Sequence, residues 1–151
     1  LFLKKNEKKI KNIGIDPWLL TLKQYELLKS SLKGSKIKFE LYEKSQKKSN
    51  FLRKMIRHFK LNADVKQKNI FQEKDLEADI IVARAFKPLQ TILELINKNF
   101  THYNRLILFL GKSGRDNINK CLRSWHFNYE IVKSLTDINS VFLKINNLKK
   151  T

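Results

Sequence analysis

The segment of residues 78–88, ADIIVARAFKP, constrains the fold more than any other stretch of this sequence. Ile80, Ile81 and Val82 form a consecutive β-branched run, which is typical of a strand covered on both faces and therefore of a parallel sheet between helices. Arg84 follows near the carboxyl end of this predicted strand, where ligands bind in open α/β sheets. The segment predicts an α/β fold and leaves Arg84 open as either a ligand contact or a solvated loop cation.

Strands and helices alternate along the rest of the chain. We predict strands at residues 37–43, 63–66, 79–83, 105–110, 129–132 and 141–145, with the last two forming an antiparallel hairpin. Helices are predicted between them, the second beginning at Pro88 and ending near Phe100, and the third covering residues 116–125. Because parallel strands need crossover connections, the pattern favours a mostly parallel, doubly wound sheet in a single domain.

The helix that follows the first clear strand is basic and amphipathic. Its predicted N-cap is Ser49. Its apolar face is predicted to contain Phe51, Leu52, Met55, Ile56 and Phe59. Arg53 and Arg57 repel each other at helical spacing, which invites a counter-anion such as a phosphate backbone. We favour nucleic-acid contact over a merely solvated charge run.

The composition limits the possible partners and chemistry. A formal charge of +18, from 32 basic and 14 acidic residues, favours a polyanionic partner, although codon bias in an AT-rich genome is an alternative source of lysine. Cys121 is the only cysteine, so neither an intrachain disulfide nor a paired-cysteine metal site can form. The three histidines lack the spacing of zinc ligands, and we expect no metal.

The chain shows no sign of a membrane or secreted protein. The longest apolar run, residues 106–110, is too short to cross a bilayer, and the N-terminus lacks the pattern of a secretory signal. We therefore expect a cytoplasmic protein. The first residue is Leu rather than Met, from which we expect a fragment or a chain with an altered start.

Several segments, in order, resemble the ribosomal RNA small subunit methyltransferase G family, also called the glucose-inhibited division protein B family. They are LYEKSQKKSNFLRK (residues 41–54), HFKLNADVKQKNIF (58–71), VARAFKPL (82–89) and RLILFLGK (105–112), followed by the closing hairpin. The resemblance implies a Rossmann-like class I methyltransferase fold that uses S-adenosyl-L-methionine. It also implies methylation of guanine N7 in small-subunit rRNA, with that rRNA or the 30S particle as partner of a monomeric enzyme.

The resemblance also implies roles for individual residues. Glu43, which ends a predicted strand, would hold the cofactor ribose, and Asn69 and Ile70 would line the adenine. Arg84 of the Arg-Ala-Phe triplet would contact the cofactor, and Gly14 is what remains of a glycine-rich loop. The candidate RNA-binding cations are Lys47, Lys48, Arg53, Arg57 and Lys112. Lys112 matches less closely, because this chain has Gly-Lys where the family usually has Lys-Gly.

The sequence departs from the family at the cofactor loop. Such enzymes carry Asp-x-Gly-x-Gly-x-Gly after the first strand, so that bare backbone can approach the methionine moiety. Here residues 12–22 read NIGIDPWLLTL, and Pro17-Trp18 adds bulk. We interpret residues 1–35 as a degenerate first βα unit, from a truncated or frameshifted gene, and residues 36–147 as the methyltransferase core.

Two functions therefore stay open at this point. The first is an rRNA methyltransferase with a degenerate cofactor loop, and the second is a non-catalytic RNA-binding remnant of that family. No catalytic acid or base is expected in either case. Guanine N7 carries a lone pair and no proton, so an enzyme needs chiefly to position it.

Overall fold

The computed structural model describes residues 12–14 (backbone only), 38–84, 87–134, 137 and 139–151. By its internal contacts the chain divides into two compact units, Leu1–Gln72 and Glu73–Thr151. A short strand, β1 (Asn12–Gly14), lies within the segment interpreted as a degenerate first βα unit. The rest of that segment, including Pro17-Trp18, lies outside the described residues.

The described part of unit 1 shows three parallel strands and one long helix. β2 covers Lys38–Tyr42, α1 covers Gln46–Phe59, and β3 covers Ala63–Lys66, followed by a short 3₁₀ helix at Ile70–Gln72. β2 pairs in parallel with both β1 and β3. The predicted strands and their parallel arrangement are confirmed, with α1 as the crossover between β2 and β3.

α1 begins earlier than predicted. Its N-cap is Ser45, and the prediction of Ser49 as N-cap is wrong. Ser49 is fully buried inside the helix, and its hydroxyl donates a hydrogen bond to the backbone oxygen of Glu43 at 3.0 Å. The carboxylate of Glu43 accepts the backbone N–H of Ser45 at 2.7 Å, so an acidic side chain before the helix supplies the acceptor at its start.

The apolar face of α1 is narrower than the sequence predicts. Leu52 is buried, and Met55, Ile56 and Phe59 are half-buried. Phe51, predicted on the same face, is instead 51% exposed. Phe51 lies about 100° around the helix axis from Leu52, at the edge of the covered stripe.

Unit 2 holds the remaining strands and helices. Along the chain these are β4 (Leu76–Arg84), α2 (Leu89–Asn99), β5 (Phe100–Leu110), α3 (Gly114–Cys121), β6 (Trp125–Lys133) and β7 (Val141–Lys150). β4 and β5 are parallel, whereas β7 runs antiparallel to β5 and to β6. The predicted α/β class, with parallel strands and a C-terminal antiparallel hairpin, is confirmed.

The core of unit 2 lies between its strands and α2 and α3. Leu93 of α2, Leu106 of β5 and Leu143 of β7 are all fully buried. Trp125, predicted at the end of a helix, is the first residue of β6 and is 1% exposed. The helical prediction there is wrong because α3 ends at Cys121 in a tight turn, after which alternation along β6 places Trp125 and Phe127 in the core.

Candidate functional site

Glu43 is held rigidly just after the end of β2. Its backbone N–H donates to the carbonyl oxygen of Lys66 at 3.1 Å, and its own carbonyl accepts the Ser49 hydroxyl. One carboxylate oxygen, Oε1, accepts the N–H of Ser45. Within the described residues the other oxygen has no hydrogen-bond partner, so it can accept a hydrogen bond from a ligand.

Asn69 and Ile70 lie in the loop after β3. The side-chain oxygen of Asn69 accepts the N–H of Phe71 at 3.3 Å, and its carbonyl accepts the N–H of Gln72 at 2.9 Å. These two bonds form a local Asx turn that starts the 3₁₀ helix. The loop backbone is therefore defined by its own residues.

The predicted cofactor residues of unit 1 meet at one edge of its strands. Because β2 and β3 are parallel, their carboxyl ends lie side by side. The hydrogen bond from the N–H of Glu43 to the carbonyl of Lys66 joins the segments that follow the two strands. Gly14, the last residue of β1, is paired with Glu40 of β2, so β1 ends towards the same edge. The structure thus brings the loops carrying Glu43, Asn69 and Ile70 together at the edge where open α/β sheets bind ligands.

The cations of α1 differ in exposure and in their hydrogen bonds. Lys47, Lys48 and Arg57 are exposed, and Nε of Arg57 donates to the carbonyl oxygen of Arg53 at 3.3 Å. Arg53 is half-buried, and its Nη1 donates to the side-chain oxygens of Asn50 at 3.1 Å and Gln67 at 3.3 Å. Arg53 therefore joins the helix to the loop after β3, a structural role that the sequence analysis did not assign.

The structure adds two residues to this basic surface. Lys54 is exposed, and so is Phe51, which lies one turn after Lys47 and one turn before Lys54. Helical spacing alone would have placed Lys54 on the same face as Lys47, two turns further along the helix. The apolar periodicity of α1 does not show that Phe51 is exposed.

In unit 2, Arg84 lies at the carboxyl end of β4, and Lys112 lies just after the carboxyl end of the neighbouring strand β5. Arg84 is the exposed last residue of β4 and is paired with Phe109 of β5. Lys112 is exposed just after β5. Between these strand ends and the starts of α2 and α3 lies a cleft of about 170 Å³. Its lining includes Ala83, Lys87, Pro88, Leu89, Ile92, Leu108, Phe109, Leu110, Gly111, Ser113, Gly114 and Asn117.

Two glycines at this cleft have different roles. A Cβ on Gly114 would lie 2.7 Å from the Cβ of Leu110 and 3.2 Å from Cγ2 of Val141, so close packing at the start of α3 requires glycine. A Cβ on Gly111 would meet nothing within 4 Å. The backbone N–H of Gly114 donates to the carbonyl of Gly111 at 2.8 Å, which closes the turn between β5 and α3.

Cys121 does not offer a nucleophile. It is the buried last residue of α3, and its sulfur lies 3.8 Å from the side-chain oxygen of Gln90. Burial raises the pKa of the thiol, which keeps it protonated at neutral pH. Nucleophilic catalysis by this residue is therefore disfavoured.

Clusters that could bind a metal and helices that could span a membrane are both absent from the described part of the chain. Among the described residues, no group of three or more His, Cys, Asp or Glu side chains is placed to hold a metal ion. None of the helices described above is long and apolar enough to cross a membrane.

Comparison with known proteins identifies the family. The family model for rRNA small subunit methyltransferase G, GidB, matches residues 29–145. The chain belongs to the rRNA small subunit methyltransferase G family. A relative with that name from Pelagibacter ubique (strain HTCC1062) is 49% identical over 113 residues, which are 75% of this chain and 53% of the relative. The chain thus spans about half the length of the curated relatives that it matches.

Solved structures confirm the Rossmann-like methyltransferase fold predicted for this family member. A SAM-dependent methyltransferase from Aquifex aeolicus matches with a TM-score of 0.62 at 12% identity, over 90% of this chain and 81% of that one. TrmK from M. capricolum, solved in complex with S-adenosyl-homocysteine, matches with a TM-score of 0.56 at 16% identity, over 97% of this chain and 67% of that one. At these identities the likeness concerns the fold alone.

Proposed function

We propose that this chain carries the core of an S-adenosyl-L-methionine-dependent methyltransferase that modifies guanine N7 in small-subunit rRNA. Membership of the methyltransferase G family, over residues 29–145, is the observation that carries the proposal. The proposed core, residues 36–147, lies almost entirely within that match. The proposal places the protein in the cytoplasm, acting as a monomer on the 30S particle or its rRNA.

Glu43 is the proposed contact to the cofactor ribose. A ribose diol offers two hydroxyl donors, and a fixed carboxylate with an unused oxygen accepts such donors well. The position of Glu43, with its backbone bonded on both sides and Oε1 already bonded to Ser45, supports this role. The free carboxylate oxygen of Glu43 is therefore an acceptor that fits the ribose hydroxyls of the cofactor.

The adenine contacts are proposed to come from the loop after β3. Ile70 is half-buried and offers an apolar side chain to a ring, and the Asx turn of Asn69 fixes the backbone beside it. Gly14 and Arg84 are proposed as further cofactor contacts on the strength of the family resemblance. The glycine-rich loop region that would face the methionine end lies outside the described residues.

The proposed reaction needs positioning more than acid–base catalysis. When bound, the cofactor supplies an electrophilic methyl group on a sulfonium. Guanine N7 attacks with an in-plane lone pair and has no proton to lose. The chain's own residues therefore need chiefly to hold the base with N7 in line with the methyl group of the cofactor. We propose no catalytic residue in the strict sense, only positioning residues.

The RNA is proposed to lie against α1 and the turn after β5. Lys47, Lys48 and Arg57 are exposed on α1, and Lys112 is exposed after β5. Arg53, tied to Asn50 and Gln67, is proposed to hold α1 in place while keeping part of its guanidinium for phosphate. Binding through such cations releases counterions, so affinity for RNA should fall as salt rises.

A second candidate function is a non-catalytic RNA-binding remnant. Pro17-Trp18, in the segment that we interpret as the counterpart of the family's glycine-rich loop, favours this candidate, because it would remove an amide donor and add bulk there. On this basis we expect little methyl transfer by the chain as given, and recovery of transfer when residues 13–20 are replaced by a family-like glycine loop.

Three measurements separate the candidates. Calorimetric titration with S-adenosyl-L-methionine and transfer of a radiolabelled methyl group to undermethylated small subunits are compared for the chain and the loop-restored variant. RNA affinity is measured by filter binding at two salt concentrations. Salt-dependent RNA binding, with cofactor binding and transfer gained by the variant, supports the methyltransferase proposal. RNA binding without cofactor affinity in either protein supports the remnant, and robust transfer by the chain as given refutes the loop argument.

A further inference from the structure

Phe51 is the most exposed large apolar side chain in the described part of the chain. It is 51% exposed, although the periodicity of α1 assigns it to the apolar face. Leu52, its neighbour in sequence, is 7% exposed and anchors the helix. About half of Phe51 is therefore open to a partner, next to a residue that packs the helix onto the strands.

The surroundings of Phe51 on the helix are cationic. Lys47 and Lys48 lie one turn before it, Lys54 lies one turn after it, and all three are exposed. The whole of α1, QKKSNFLRKMIRHF, contains no acidic residue. A partner that covers Phe51 therefore lies against the exposed Lys47 and Lys54, and negative charge on that partner complements them.

An unpaired nucleotide meets both requirements. Its base presents a flat π-face that stacks on an aromatic ring, and its phosphates pair with flanking lysines. In double-stranded RNA the bases are stacked on each other and cannot reach a side chain on a helix surface. The observed combination thus matches single-stranded RNA better than a duplex, and a negatively charged partner better than a neutral protein surface.

We propose that Phe51 is a stacking platform for an unpaired base of the RNA substrate, flanked by Lys47 and Lys54 as phosphate contacts. The proposal rests on the proposed RNA-binding function and deepens it. It makes α1 select for single-stranded regions of rRNA, with the lysines supplying salt-dependent attraction and the aromatic ring supplying the preference for unpaired bases.

The test uses the full chain and two labelled RNAs of equal length, one single-stranded and one a perfect duplex, with affinity read by fluorescence anisotropy. Phe51→Ala should weaken binding of the single strand by roughly 5- to 150-fold and leave duplex binding unchanged. Its salt slope should match that of the unaltered chain, because no cation is lost. Lys47→Ala should instead lower the salt slope by about 0.7 on the single strand.

Three controls make the test specific. Tyr129→Ala removes another exposed aromatic, 45% exposed on β6, and should leave both affinities unchanged. Phe51→Trp should retain single-strand affinity, and its added fluorescence should be quenched by the single strand but not by the duplex. Circular dichroism of Phe51→Ala should show an unchanged melting temperature, because an exposed ring contributes little to the core.

The outcomes distinguish this inference from the function on which it rests. If the unaltered chain binds RNA with salt dependence but Phe51→Ala binds both RNAs as before, the stacking proposal is overturned and RNA binding stands. That result would also be obtained if Phe51 covered a protein partner instead. Equal weakening on single strand and duplex likewise overturns it. If the unaltered chain binds neither RNA, the proposed function fails and the stacking proposal fails with it.

Discussion

Two substitutions at Glu43 separate its structural role from its proposed role in cofactor binding. Its carboxylate accepts the N–H of Ser45 at 2.7 Å, at the start of α1. Glu43→Ala removes this acceptor, whereas Glu43→Gln keeps a side-chain oxygen in the same place and removes only the charge. The two variants should therefore differ in stability but agree in cofactor affinity.

The stability cost follows from the bond that is lost. A hydrogen bond to a charged group near a helix start contributes about 1–2 kcal/mol when it is partly exposed. For a chain of this size, each kcal/mol shifts the melting temperature by roughly 2–4 °C, so Glu43→Ala should melt about 2–8 °C lower. Glu43→Gln loses only the attraction of the charge to the helix dipole, about 0.3–1 kcal/mol.

The cofactor cost should be common to both variants. Loss of a charge-assisted hydrogen bond to a ribose hydroxyl corresponds to about 1.5–3 kcal/mol, or roughly 10- to 150-fold in affinity. Calorimetric titration with S-adenosyl-L-methionine, on the loop-restored chain, measures it beside thermal melts of each variant. If Glu43→Ala has the same melting temperature as the unaltered chain, the Glu43 carboxylate does not stabilise the start of α1. If the cofactor affinity of Glu43→Gln is unchanged, Glu43 does not contact the ribose.

Two further predictions test packing and electrostatics. Gly114→Ala should lower the free energy of unfolding by about 1–3 kcal/mol in urea denaturation, because a Cβ there overlaps the end of β5. Gly111→Ala is the control, since its Cβ meets open space and should cost no such stability. Equal losses in both variants would refute the steric argument. The Lys38 ammonium, 2.7 Å from Asp64, lowers the pKa of that carboxyl through a hydrogen bond and charge. The stability from this pair is thus present above the unfolded pKa of Asp64 and lost as the pH falls through the lower folded pKa. In an NMR titration, Lys38→Met should raise the pKa of Asp64, and an unmoved titration would contradict the assignment.

The sequence predicts the apolar centres of the strands but not their full length. The expected starts are residue 79 for β4 and residue 105 for β5, whereas the strands begin at Leu76 and Phe100. The early part of β5 contains the polar residues Thr101 and Asn104, which bond to the neighbouring strand: Thr101 donates to the carbonyl of Leu76, and Asn104 donates to the carboxylate of Asp79. Pairing with a partner strand extends a strand beyond what its own residues favour.

The cap of α1 shows a second kind of limit. Ser45 and Ser49 are both acceptable N-cap residues in sequence, separated by one turn. The choice between them depends on Glu43, whose carboxylate meets the N–H of Ser45 and whose carbonyl accepts the hydroxyl of Ser49. Both contacts require the path of the chain out of β2, which a propensity for capping does not contain.

The same limit explains why the candidate site was only partly foreseen. A strand-end carboxylate such as Glu43 can be located from sequence, because the edge of a parallel sheet fixes where it lies. Helical periodicity gives the direction in which Phe51 points, but not the width of the surface that covers α1. That width depends on neighbouring elements, and it leaves Phe51 beside Lys47 and Lys54 instead of inside the core. Phe51 is thus an exposed apolar residue between exposed lysines, on a helix without acidic residues. This combination is the reason for proposing that its partner is a negatively charged ligand with a flat apolar surface.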